Sequence, residues 1–258
     1  MTKKANEAKT HDSNVAAQFG PRAAAYVASP VHAAGEDLAQ ISGLAQARRP
    51  SRALDLGCGG GHVSFQLAAH AGEVVAFDLS DDMLNAVMKE AITRGLANIV
   101  PGQGSVEQIP FADGAFDFVA SRYSAHHWRN IGAGLAEARR VLAPGGAAVF
   151  ADSASPKNPL LDTYLQAIEL LRDSSHVRDY SAAEWIANLR AAGFAPGQPV
   201  MRRVRLEFAS WVARMATPEV QVRAIRALQQ SMPGDVAEYF ALEADGSFTI
   251  DAMTIEAS

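Results

Sequence analysis

"ALDLGCGGGHVSF", Ala53 to Phe65, sets four glycines and a cysteine between two apolar runs. Glycine brings no side chain to packing, so this density marks a place where bare backbone is wanted, for a tight turn or for close approach of another group. Ahead of it "RALDLG" reads as a strand, and behind it "GHVSFQLAAHA" reads as a helix. The alternation continues outward. "EVVAFDLS" is a strand, and "DDMLNAVMKEAITRG" a helix with Ser80 as N-cap and Gly95 near its end. "NIVPGQGSV" and "FDFVASRYS" hold two more strands, "IGAGLAEARRVLA" is a helix, and "GGAAVFADS" is a fifth strand after a Pro144-Gly145-Gly146 turn. Strands separated by helices imply parallel crossovers, hence an open α/β sheet covered on both faces.

The flanks are helical. Residues 15–47 carry a helical pattern broken once, with Pro30 where a second helix begins. After Ser153, "NPLLDTYLQAIELLRDSS", "SAAEWIANLRAAGF" and "PEVQVRAIRALQQSM" read as helices. "VMRRVRLEFASW" is a strand running into a helix, and "GSFTIDAMTIEA" a closing strand. The expected architecture is a Rossmann-like, doubly wound, mostly parallel sheet of about seven strands, with a helical N-terminal lid and a helical C-terminal cover. Residues 1–14 are expected to be a disordered tail and 15–258 a single domain: lid helices over 15–50, a binding core over 51–153, and cover helices with closing strands over 154–258.

Composition narrows the function classes. A formal net charge of −5 argues against a phosphate-tracking surface, so neither a nucleic-acid nor a membrane partner is expected. The single cysteine, Cys58, excludes an internal disulfide and a cysteine-built zinc site, and no metal is expected. No apolar run approaches the ~20 residues of a membrane helix. "MTKKANEAKTHD" has no apolar stretch behind its basic residues, so a cytoplasmic location is expected.

In an open α/β sheet the loop after the first strand lies at the carboxyl edge, where ligands bind. The dinucleotide fingerprint G-x-G-x-x-G would need glycine at position 62; the chain has Gly57, Gly59 and Gly61 followed by His62. Asp55, two residues before the loop, would repel a pyrophosphate and favour a cationic ligand. Asp78 ends the second strand about twenty residues on, where an acid accepts hydrogen bonds from ribose hydroxyls. A nucleoside bearing positive charge fits both, and S-adenosylmethionine is one.

"LDLGCGGGH", "VAFDLSDDML", "GSVEQIPFADGAFDFV" and "EARRVLAPGG" come in the order and spacing of the class I S-adenosylmethionine-dependent methyltransferases. The chain resembles their small-molecule branch, similar to the ubiquinone/menaquinone-biosynthesis (UbiE-like) enzymes. The resemblance is clear over residues 15–155 and extends through "ADSASPKN", "HVRDYSAAEW" and "WVARMATP". It implies that Gly57, Cys58 and Gly59 line the methionine moiety with Asp55 near its ammonium. It also implies that Asp78 takes the ribose hydroxyls and that Leu79 and Met83 flank the adenine. Ser105, where members often have Asp, would meet the adenine amino group as a neutral acceptor, with Val106 and Glu107 completing that wall.

"SRYSAHHWRN" follows the fourth strand on the same edge and should face the methyl. Arg122 is assigned to the cofactor, Tyr123 to the acceptor, and His126 and His127 to acid/base work. The two histidines are adjacent and so point to different sides, and His127 is the favoured one on resemblance. Tyr26, with Phe19 and His32 in the lid, is expected to close the methionine end. In the cover, Arg178 and Arg214 are the arginines assigned to a small aromatic or anionic acceptor. The expected activity is methyl transfer from S-adenosylmethionine to O, N or C of a small molecule. A non-catalytic S-adenosylmethionine-binding protein and an NAD-dependent dehydrogenase are the alternatives. Base methylation in nucleic acid is disfavoured, because "SRYS" stands where those enzymes carry an Asn/Asp-Pro-Pro-aromatic motif.

Overall fold

A computed structural model describes residues 10–27 and 33–258. Seven strands form one sheet in the order β3-β2-β1-β4-β5-β7-β6. They are β1 (Arg52–Leu56), β2 (Glu73–Asp78), β3 (Ile99–Gln103), β4 (Phe116–Arg122), β5 (Leu142–Ala154), β6 (Val200–Leu206) and β7 (Phe248–Ala257). The first five pair in parallel, and β7 inserts antiparallel between β5 and β6. The strand order reverses between β1 and β4, which puts a ligand crevice at the carboxyl ends of those two strands.

β1 and β2 are buried on both faces and read as continuous apolar runs for that reason. One face packs Leu54, Val75, Phe77, Phe150 and Trp185, and the other packs Ala53, Val74, Phe118 and Val149. The helices start where local chemistry says they should. Ser80 caps α5 (Asp81–Thr93) by accepting from Met83 N, and Asn130 caps α6 (Ile131–Val141) by accepting from Ala133 N. Asn158 and Pro159 open α7 (Pro159–Arg172), and a Ser181/Glu184 capping box opens α8 (Ala182–Ala191). α7 joins α9 (Phe208–Arg214), α10 (Glu219–Gln230) and α11 (Gly234–Tyr239) around a separate core of Leu165, Trp211, Ile225 and Phe248.

The N-terminal segment departs from the sequence expectation in its boundaries. α1 (His11–Phe19) begins inside the stretch expected to be a tail, because Thr10 caps it by accepting from Ser13 N. A single 3-10 turn (Gly20–Arg22) leads into α2 (Ala23–Val27). α3 (Glu36–Arg48) follows Gly35; the start assigned to Pro30, the role of His32 and the tail over residues 1–9 lie outside the described residues. The expected turn at Pro144-Gly145-Gly146 lies inside β5 as a bulge: Leu142 pairs with Phe116 and Ala147 with Phe118, and the residues between loop out with Gly145 at φ +78°. α4 (His62–Leu67) ends sooner than its apolar pattern implies. No described helix is long and apolar enough to cross a membrane.

Candidate active site

Two cavities meet at the carboxyl edge of β1 and β4. The first runs over the glycine loop and is lined by Asp55, Gly57, Cys58, Gly59, Asp78, Leu79, Met83, Ser105, Val106, Glu107, Arg122 and Tyr26. All twelve residues assigned to the cofactor therefore surround one space. The glycines in it differ. A Cβ at Gly57 would strike Ser124 Oγ, so that glycine serves packing, whereas a Cβ at Gly59 (φ +48°) would project into open space. Gly59 is thus the position where missing substance leaves room for a ligand against the backbone.

The two carboxylates are held in place. Asp78 accepts from Gly59 N at 2.9 Å through Oδ2 and from Ser80 N at 3.0 Å through Oδ1. It thereby ties the loop to the start of α5. Each oxygen keeps a second lone pair, enough for two hydroxyls. Asp55 accepts from Ser64 N and Oγ at 2.8 and 2.6 Å, both through Oδ2. Burial pushes its pKa up to about 7, against the Ser64 hydrogen bonds. A cation brought to Oδ1 would restore its charge. Cys58 is buried, which raises its thiol pKa well above normal; it fills space and is no nucleophile. Glu107 lines the cavity with its carboxylate engaged by Arg129 Nη2 at 2.6 Å and Asn130 N at 2.7 Å. Ser105 Oγ accepts from Glu107 N at 3.3 Å.

The lid lies over this cavity. A Cβ at Gly60 would sit 2.8 Å from the Tyr26 carbonyl carbon and oxygen, and the His62 ring bonds the Tyr26 carbonyl at 2.9 Å. His11 and Asn14 reach across to the carbonyls of His127 and Ser174, while Phe19 packs edge-on against the His127 ring at 5.0 Å. Tyr26 donates to Met215 Sδ at 2.9 Å, joining lid to cover.

The second cavity, of about 530 Å³, lies between lid, β6 and the cover. Phe19, Tyr26, Arg122, Tyr123 and His127 line both cavities and form the boundary between them. Tyr123 sits at φ +49°, a left-handed conformation uncommon for a bulky residue and frequent at functional sites. Burial pushes its phenol up to about 12, so it is a neutral donor. Arg122 is held by Asp37 at 2.5 Å and stacks over Tyr123.

The two histidines take opposite states. His126 Nδ1 lies 2.5 Å from Asp152 Oδ1. Burial opposes its charge, but Asp152, with Asp179 and Glu169 behind it, prevails and raises its pKa to about 9. A protonated imidazole has no lone pair to offer, so His126, which lines the second cavity, is held as an acid and not as a base. His127 is pushed down to about 3, first by burial and then by the His126 cation beside it. Its Nδ1 donates to Ser175 O at 3.1 Å, leaving the lone pair on Nε2. Donor atoms of His126, Asp152 and Asp179 lie within 4.8 Å of one another, a spacing that could hold a metal. Asp152 Oδ1, however, already accepts from His126 and from Ser153 N, and Asp152 Oδ2 from Ala125 N. Oδ1 is thus filled by the protein, while Asp152 Oδ2 keeps one lone pair and the buried Asp179 Oδ2 has no partner among the described residues.

Of the two cover arginines, Arg214 lines the second cavity and Arg178 does not. Arg178 pairs instead with Asp162 of α7 at 3.0 Å and Glu184 of α8 at 3.2 Å, so it does not take the place expected of it beside the acceptor. Sequence reasoning missed Asp37, Asp152 and Asp173. Asp152 carried a signal, an acid near the carboxyl end of a central strand. Asp37 and Asp173 sit in helix-end contexts where an acid is ordinary.

Comparison with known proteins identifies the family. Residues 54–150 match a family model described as a methyltransferase domain. Over 197 residues the chain is 48% identical to "Uncharacterized protein YafE" of Escherichia coli strain K12, covering 76% of this chain and 95% of that one. It is 32% identical over 200 residues to "Uncharacterized methyltransferase YcgJ" of Bacillus subtilis strain 168, 78% of this chain and 79% of the relative. The solved YcgJ structure matches with a TM-score of 0.82 at 29% identity, over 86% of this chain and 97% of that one. A ubiquinone/menaquinone biosynthesis C-methyltransferase UbiE of Brucella anthropi is 33% identical over 129 residues, 48% of this chain and 49% of the relative. The chain belongs to the S-adenosylmethionine-dependent methyltransferase family.

Proposed function

We propose that this chain transfers the methyl group of S-adenosylmethionine to a small molecule seated in the second cavity. The observation that carries this reading is the shared boundary: five residues, Phe19, Tyr26, Arg122, Tyr123 and His127, line both chambers, which sets donor and acceptor spaces side by side. The donor chamber fits the co-substrate on its own chemistry. Gly59 leaves room against the backbone, Asp78 has lone pairs for two ribose hydroxyls, and Asp55 Oδ1 meets the ammonium. Leu79 and Met83 offer apolar faces to the adenine, with Ser105 and Val106 opposite.

Methyl transfer from a sulfonium asks mainly for alignment. Holding donor and acceptor atoms about 3–3.5 Å apart in line supplies much of the barrier reduction. The closed lid and the stacked Arg122–Tyr123 pair provide that alignment and exclude water. His127 accepts the acceptor's N–H or O–H at Nε2 and orients its nucleophilic lone pair. Its low basicity suits a hydrogen-bond acceptor that takes a proton only as the methyl bond forms. Tyr123, protonated, donates to the acceptor or to a neighbouring oxygen.

The test is transfer of label from methyl-labelled S-adenosylmethionine to fractions of a bacterial metabolite extract, alongside calorimetry with S-adenosylhomocysteine. Tight product binding and a labelled small molecule are expected. Product binding without any labelled acceptor supports the non-catalytic alternative, and tight NAD binding without product binding removes the methyltransferase reading.

A further inference from the structure

Five arginines line the second chamber, and four are already engaged. Arg122 pairs with Asp37, Arg202 with Glu36 and Arg203 with Asp251. Arg172 donates to the Trp211 carbonyl at 3.0 Å and lies 3.5 Å from Glu169. Arg214, in the last turn of α9, is the exception: among the described residues no hydrogen bond or ion pair reaches it, and its Nε is enclosed without a partner. Burial and the like charge of Arg172 both act against its cation, while Tyr26, Glu169 and Glu207 favour it only from a distance. A guanidinium does not give up its proton at neutral pH, so an unanswered one in a cavity wall selects an anion.

Resting on the methyltransferase reading above, we infer that the methyl acceptor is an amphiphilic carboxylate whose anionic head is bound by the Arg214 fork beside Arg172. Its apolar body lies on Trp211 and Met215, and its reacting atom reaches the Tyr123–His127 boundary. A carboxylate matches the chamber better than a phosphate does. Two parallel N–H donors fit its two oxygens, and a single negative charge is balanced by Arg214 alone. A doubly charged phosphate would be left facing Glu169 and Asp173, which share the wall. The volume, about 530 Å³, leaves room for a body of one or two rings beyond the head.

Calorimetry on protein saturated with S-adenosylhomocysteine tests this, with 2-naphthoate, its uncharged counterpart 2-naphthamide, and inorganic phosphate as probes. Naphthoate should bind at least tenfold tighter than the amide, about 1.4 kcal/mol, and tighter than phosphate. Arg214→Met should remove the preference and Arg214→Lys keep part of it. Arg178→Met, outside the chamber, should leave it intact. Equal binding of acid and amide, no naphthoate binding at millimolar concentration, stronger phosphate binding, or an Arg214→Met protein that keeps the full preference overturns the inference. S-adenosylhomocysteine affinity is the separate readout. If it is retained while the carboxylate preference is missing, only this inference falls; if the wild-type protein does not bind it, the methyltransferase reading falls.

Discussion

Asp152→Asn isolates the charge that sets the two histidines apart. In the wild type the His126–Asp152 contact at 2.5 Å is buried, and His126 titrates at about 9 in place of 6.5. A histidine whose folded pKa lies above its unfolded one contributes stability that is complete below pH 6.5 and is lost as pH rises through 9. Applying that linkage to the shift gives about 2–3 kcal/mol at pH 7, falling below about 1 kcal/mol at pH 9. In Asp152→Asn burial dominates and His126 becomes neutral, so this pH-dependent part disappears. The lost acceptor for Ala125 N and Ser153 N adds a penalty that does not vary with pH. Urea unfolding at pH 7 and 9 should therefore show a destabilisation about 2 kcal/mol larger at pH 7. His127 should respond as well, because the neighbouring cation that lowers its pKa is gone; its imidazole resonances should titrate at higher pH in the variant. A destabilisation equal at the two pH values, or a wild-type His126 titrating near 6.5, would show that the ion pair does not carry the charge assigned to it.

Four further outcomes follow from the same geometry. Gly59→Ala places a methyl in the donor cavity at a strained positive φ, and should weaken S-adenosylhomocysteine binding at least tenfold in calorimetry while costing about 1 kcal/mol of stability. Because burial raises Asp55 to about 7, its carboxylate is half protonated at neutrality, so S-adenosylhomocysteine affinity should increase from pH 6 to 8 and binding should release protons, measured as a buffer-dependent heat; Asp55→Asn should abolish both. His127→Ala should reduce turnover on an identified acceptor by at least tenfold with product affinity unchanged, and an unaltered turnover would dismiss the residue from the chemistry. Deleting residues 1–30 removes the segment that bonds His62 and Met215, and should weaken S-adenosylhomocysteine binding sharply by calorimetry; retained affinity would end the lid's role in closing the chamber.

The lining of the first cavity was legible because its parts are local in sequence. Gly59, Asp78 and Met83 follow strand ends whose apolar runs announce them, and the loop between β1 and α4 can only open at the carboxyl edge. The acceptor half depends on contacts across long stretches of chain. That Arg214 faces a chamber while Arg178 faces Asp162 and Glu184 follows from the packing of α7, α8 and α9, and no spacing within the sequence separates the two. The division between His126 and His127 likewise comes from Asp152 on β5 and Ser175 beyond α7. Adjacent identical residues gain opposite charge states from partners far away along the chain. Pro144-Gly145-Gly146 was legible too: the turn chemistry is kept, as an unpaired bulge between Leu142 and Ala147 with Gly145 at φ +78°.

The antiparallel placement of β7 has a consequence for assembly. β6, which supplies Met201, Arg202, Arg203 and Val204 to the acceptor wall, is joined to the rest of the sheet through a segment translated after it. Losing residues 248–258 would detach β6 and its stretch of the second cavity's wall, and would strip Met253, Ile255 and Ala257 from the core that also packs Leu54 and Phe77 beneath the glycine loop.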